Sequence, residues 1–125
     1  MGDNYFKLED IKAYVIASDL SDYVWCIVSK WDNLAKFTIG SQFIRSTDSI
    51  GANIAEGFGR FHKKDIIKFY YNSRGSVFES AHWCKKAYKR KLLTDEEFNS
   101  IISELRKLPK EINGLISITN KNLKV

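Results

Sequence analysis

Histidine, cysteine and proline are scarce in this chain of 125 residues, which has two, two and one of them. The shortage of histidine bears first on chemistry. Neither His62 nor His82 is paired with a second ligand at the spacing of HExxH or CxxC, and His82 and Cys84, two apart on a helix, point in different directions. Four-helix bundles that hold two metals take a Glu-x-x-His motif from each of two helices, and no such pair occurs here. No metal is expected. Phosphate-binding motifs are missing too: GFGR lacks the Lys-Ser or Lys-Thr of a P-loop and follows a helix, while GANIAEG has the wrong spacing for a dinucleotide fingerprint. Glu56, considered as a general acid, has only Arg60 within a helical turn, and that neighbour keeps it ionised. The chain is therefore expected to be no enzyme and to carry no cofactor.

Long apolar runs are also absent. No stretch of about eighteen uncharged apolar residues exists to span a bilayer, and MGDNYFKLED lacks the basic start and apolar core of a secretory signal. The expected location is the cytoplasm, with no membrane partner. In that compartment Cys26 and Cys84, each on a helix face with apolar neighbours, are expected to be reduced and buried. A chain of this length fits a single domain, residues 1–125, and buries about two thirds of its unfolded surface.

What the chain does have is helical periodicity. Ile11, Tyr14, Ala17, Leu20, Val24, Ile27 and Trp31 repeat every three to four residues and predict a first helix from about Glu9 to Lys30. A second begins between Ala35 and Thr38, with Phe43, Thr47, Ile50, Ile54 and Phe58 on its inner face and Gly57 and Gly59 offering a left-handed cap. His62 stands at the N-cap of a third helix, 63–89, with Asp65 three residues on. This helix turns Ile66, Phe69, Ser73, Val77, Ser80, Cys84 and Ala87 inward, and Gly75 is expected to allow close contact. Thr94 followed by Asp95, Glu96 and Glu97 signals the start of a fourth, whose apolar spacing resumes in phase after Pro109, predicting a kink without a break. The polar TNKNLKV tail is expected to fray. No strand pattern competes. The fold class is all-α, an antiparallel up-down-up-down four-helix bundle.

The segment RSTDSIGANIAEGFGR stands out because it sets that inner face among small residues. Gly51, Ala55, Gly57 and Gly59, with Ser46, Ser49 and Ala52, lower helix propensity while letting a neighbouring backbone come close. Helix packing or a subunit contact is the expected role. Asn53, Glu56 and Arg60 follow at i, i+3 and i+7: Glu56 pairs with Arg60, and Asn53 offers an amide to another helix. A solvated polar stripe is the competing reading.

SIGANIAEGFGR followed by KKDIIKFYYNSRGSVFES resembles the signature of the bacterial four-helix-bundle family encoded within intervening sequences of the 23S ribosomal RNA gene. The resemblance extends to IKAYVIASDLSDYVW and LLTDEEFNSIISELRKLPKEINGLI, so it covers nearly the whole chain. The family usually has Pro where this chain has Gly51, a hydroxyl residue in place of His62, and no proline at Pro109. A related protein is the accessory variability protein of diversity-generating retroelements, a ring-forming bundle that binds a reverse transcriptase and nucleic acid. The resemblance implies a homo-oligomer, a pentameric ring, and a protein partner such as a reverse transcriptase.

Charge gives an independent pointer. Between Arg60 and Lys91 ten Lys and Arg face only Asp65 and Glu79, a local balance of +8 in a chain whose total is +5, so the remainder is −3. Such a concentration is the usual footprint for a polyanion. Lys85, Lys86, Lys89, Arg90 and Lys91 cluster at the end of the third helix, and Arg60, Lys63 and Lys64 at its start. Tyr70, Tyr71, Trp83 and Tyr88 are candidate stacking partners for bases. RNA or DNA is the expected ligand, bound mainly through phosphate because no sequence-reading motif is present. The alternative is a scaffold whose basic face meets an acidic protein and never touches nucleic acid.

Overall fold

Residues 7–122 are described by the structure, a computed structural model. A 3-10 turn, Leu8–Asp10, leads into helix α1, Lys12–Val28. Asp32 then caps a short helical turn, Asn33–Ala35, by accepting a hydrogen bond from the Ala35 amide at 3.0 Å. A π-helical turn, Lys36–Gly40, runs directly into α2, Ser41–Phe58. Helix α3 spans Lys63–Lys89 and α4 spans Asp95–Asn122. No strand occurs among the described residues.

The four helices occupy the corners of a square in chain order. Helix α1 packs on α2, α2 on α3, α3 on α4 and α4 on α1, while the diagonals scarcely meet. Short connections between successive neighbours reverse the chain each time, giving the up-down-up-down bundle. The periodic positions supply the core: Leu20 and Val24 from α1, Phe43, Ile50 and Ile54 from α2, Val77 and Cys84 from α3, and Ile101, Leu108 and Ile112 from α4 are all buried.

The α2/α3 seam is the closest of the four, and small residues make it so. Ser73 donates to the Ile50 carbonyl at 2.8 Å, and the Ser80 hydroxyl donates to that of Ser46 at 3.2 Å, tying the two helices through buried groups that would be costly unpaired. A Cβ placed on Gly57 would stand 2.8 Å from Cε1 of Tyr70 and 3.1 Å from Cβ of Phe69, too close for any side chain without repacking. Gly40 is equally confined: a Cβ there would stand 2.7 Å from Val28 Cγ1 and 3.0 Å from the Ala35 carbonyl, so its absence lets the π turn sit on the end of α1.

Helix ends follow the sequence in part. Thr94 and Glu97 form a reciprocal capping box, at 3.0 Å and 2.9 Å, and α4 runs unbroken through Pro109. His62 is the N-cap residue of α3 but makes no side-chain cap bond, as expected of a poor capping residue. The left-handed glycine cap expected for α2 does not form. Gly59 has φ −83°, and no described glycine has positive φ. The left-handed residue is Lys91, φ 62°, which closes α3 with hydrogen bonds from Leu92 to the Ala87 carbonyl and from Lys91 to that of Tyr88, a Schellman motif.

Other expectations are corrected at individual positions. Phe58 closes the inner-face pattern but is 38% exposed at the last position of α2. Gly75 faces open space, so no close contact explains it. Cys84 is buried but Cys26 is exposed on the outer side of α1. The tail expected to fray is helical where described: α4 continues to Asn122, and the last three residues of TNKNLKV lie outside the described residues.

Candidate nucleic-acid interface

Between α2 and α3 the chain turns through Gly59–His62 and presents Phe61, 79% exposed, at the tip. Its ring lies 5.2 Å from that of His62 and is flanked by Arg60, Lys63 and Lys64. Arg60 is held in place by Glu56 at 2.8 Å, one helical turn back, and its guanidinium lies 4.8 Å from the Phe69 ring centre. The pair is exposed, so it positions the cation more than it stabilises the fold. Lys63 and Lys64 form no ion pair among the described residues. Phe61 was not legible as a site residue in the sequence, where it falls between two helical patterns; the one signal for it was an aromatic outside every apolar face, set among cations.

The second cluster lies at the far end of α3, about 40 Å away at 1.5 Å per residue. Here the structure separates side chains that are adjacent in sequence. Lys85 lines a groove between α3 and α4, Arg90 lies beside Asp32 and Leu34 at the base of the bundle, and Lys86 is half-buried. Lys89 and Lys91 are exposed. None of these five enters an ion pair among the described residues.

Most of the stacking candidates are otherwise engaged. Tyr70 is buried against Gly57, and burial pushes its phenol up. Tyr88 stacks on Phe98 with ring centres 4.2 Å apart and donates its hydroxyl to Asp95, whose carboxylate raises the phenol above its ordinary value. Trp83 donates to Glu79 at 3.1 Å. Tyr71 is exposed beneath the Arg74 guanidinium, 4.9 Å from the ring centre.

The small residues of α2 divide between two sides of the helix. Ser46 and Gly57 serve the α2/α3 seam, as described above. Gly51, Ala52 and Ala55 face the other way and line an open groove between α1 and α2. Gly51 is not tightly packed: an added Cβ would meet Ala17 at 3.8 Å and Tyr14 at 3.9 Å, ordinary contact distances. Asn53 donates to the Ser49 carbonyl of its own helix at 2.8 Å, so its amide does not reach a neighbouring helix. Gly59 is exposed in the α2–α3 turn.

No group of three or more His, Cys, Asp or Glu side chains converges on a common point among the described residues. The one Glu-x-x-His spacing, Glu79 and His82, has its carboxylate bonded to Trp83 and the His82 ring 4.7 Å from the same indole. Burial pushes the Cys84 thiol up to about 12, against the smaller effect of Lys85, so it stays protonated and unreactive. No helix among the described residues is long and apolar enough to cross a membrane.

The small-residue segment of α2 and the basic start of α3 both fall within residues 9–114, the span matched by the sequence profile of the 23S rRNA-intervening sequence protein family. The chain belongs to that family. Family membership carries no functional detail. Among solved structures, the chain is similar to a crystal structure at 1.70 Å of a protein of unknown function from the S23 ribosomal protein family of Bacteroides thetaiotaomicron. The TM-score is 0.77 at 20% identity, over 83% of this chain and 97% of that one. At that identity the likeness shows the fold alone. No curated protein matches the chain.

Proposed function

We propose that this family member is a non-enzymatic, self-associating bundle that binds RNA or DNA through phosphate, with unpaired bases stacking at the α2–α3 turn. The carrying observation is Phe61, an aromatic ring held out in solvent between Arg60 and Lys63–Lys64. Lys63 and Lys64 engage no acid among the described residues and are available to phosphate, and each contact releases condensed counterions. An exposed ring stacks on any base, so the site tolerates sequence and favours single strands. The resemblance to the accessory variability protein supports self-association, as a pentameric ring, and a protein partner such as a reverse transcriptase. A ring would repeat each cluster around a belt, which offsets the 40 Å separation (about 27 residues of helix) within one protomer.

Binding to single-stranded RNA, duplex DNA and heparin, measured across salt, tests the reading. Phe61→Ala is expected to cost about 1–3 kcal/mol per stacked base on single strands and little on duplex. Changing Lys86, Lys89 and Arg90 to Gln should leave the fold intact and weaken binding to every sequence. It should also lower the salt slope by about 2–3 units, at 0.7 to 0.9 per contact from single to double strands. Equal affinity for heparin and nucleic acid, unchanged by Phe61→Ala, would favour the scaffold that binds an acidic protein.

A further inference from the structure

Helix α3 carries one stripe that the packing of the bundle leaves open from end to end. The stripe begins with Lys64 and Lys68 and ends with Lys85 and Lys89, and Tyr71, Gly75, Phe78 and His82 stand between them. The steps alternate between four and three residues, so at about 100° per residue all of these positions fall within a sector of about 100°. Every one is exposed, and from Lys64 to Lys89 the stripe runs about 38 Å at 1.5 Å per residue. Cations lie at both ends and aromatic rings in the middle. None of the four lysines enters an ion pair among the described residues. Of the two acids on α3, Asp65 is half-buried in the first turn, and Glu79 accepts a hydrogen bond from Trp83 at 3.1 Å.

The two rings are held in different ways. Tyr71, 48% exposed, lies beneath the Arg74 guanidinium, which donates to Asn113 of α4 at 2.7 Å, so the cation that covers the ring is itself fixed. Phe78, 63% exposed, stands beside a hollow of ≈ 280 Å³ between α3 and α4, lined by Lys85 and Arg106 and by no acid. Gly75 lies one turn from each ring. A glycine inside a helix of 27 residues weakens it, and no neighbour requires this one, since a Cβ there would meet nothing within 4 Å. Glycine also serves where a ligand comes close to the backbone, and here it leaves a gap between two exposed rings.

We propose that this stripe is the path of one nucleic-acid strand, which lies along α3 with phosphates on Lys64, Lys68, Lys85 and Lys89 and bases against Tyr71 and Phe78, over the gap at Gly75. The inference deepens the reading above and rests on its claim that the chain binds nucleic acid. It joins the two basic clusters within one protomer and adds Lys68, which belongs to neither. The ligand is a single strand because both rings need the open face of an unpaired base. Phosphates and base faces are common to RNA and DNA, so the two sugars bind alike. The stripe accommodates about eleven nucleotides at 3.4 Å each.

Two variants between the clusters test the path, with oligouridine, oligothymidine and a duplex of about eleven nucleotides as probes in fluorescence anisotropy. Gly75→Gln fills the gap with a neutral helix former. It should raise the melting temperature while weakening strand binding, so its effect cannot come from unfolding. Phe78→Ala removes one exposed ring and keeps a good helix former, with the circular dichroism of the parent expected. Each should weaken both single strands by roughly 5- to 150-fold, the worth of one stacked base, and change duplex binding little. If either folded variant keeps the parent affinity for single strands, or loses as much on duplex, the path is wrong while binding at the α2–α3 turn stands. A parent that binds neither single strand overturns the reading above as well.

Discussion

Lys91 holds a conformation that its side chain disfavours. Its φ of 62° completes the Schellman closure of α3 in a place where glycine is usual, because a Cβ crowds the backbone in the left-handed region. Lys91→Gly is accordingly expected to stabilise the fold by about 1 kcal/mol, read as a higher urea midpoint at unchanged m-value, with the larger entropy of the unfolded glycine chain opposing part of the gain. Asp48 is the other residue at odds with its surroundings: partial desolvation, then the neighbouring Asp22 charge, raises its carboxyl against a hydrogen bond from Ser21. Its raised folded value means that the folded chain holds this proton more tightly than the unfolded one, so stability falls as pH rises from the unfolded value near 3.8 through the folded value. Asp48→Asn should therefore raise the melting temperature of the monomer at pH 7, and the difference from the parent should vanish below about pH 3.8. An equal gain at acidic pH would trace the effect to packing. Both features were illegible in sequence. A lysine does not announce a left-handed φ, and the Asp22–Asp48 proximity exists only once α1 and α2 are side by side.

Among the elements, α2 shows how one composition signal serves two purposes. Its density of small residues was legible, and its assignment to packing or contact followed from the absence of side-chain bulk. Which small residue packs was not legible, because at 100° per residue Gly51 and Gly57 face different neighbours. Substituting alanine at each separates them. Gly57→Ala should cost about 1–3 kcal/mol, since the new Cβ would meet Tyr70 at 2.8 Å. Gly51→Ala meets nothing nearer than 3.8 Å and should be neutral or stabilising by up to about 1 kcal/mol through helix propensity. Thermal unfolding of the two variants checks both signs. A similar loss at each position would mean that the groove beside Gly51 is closed in solution. Helix termini divide in the same way. The Thr94–Glu97 box is local chemistry and was readable, whereas the π turn at Lys36–Gly40 depends on Gly40 fitting against Val28 across a helix junction.

At the scale of the whole molecule, charge and apolar surface are distributed over several sides. One basic cluster lies at each end of α3, and two exposed aromatic grooves lie on opposite sides of the square. Sequence by itself determined the number of helices, their inner faces and their order around the bundle, because hydrophobic periodicity and short connections are properties of neighbours along the chain. It also determined that the basicity is regional. It did not determine which cations share a surface: Lys85, Lys86 and Arg90 are close in sequence yet diverge toward a groove, a half-buried position and the base of the bundle. Nor did it reveal that Trp25, Phe37 and Phe78, which fall outside the inner faces read from periodicity, would be left uncovered, since a segment distant in sequence can cover a residue on any face. Those decisions belonged to the tertiary structure, because exposure and the pairing of charges depend on distances between segments far apart in sequence.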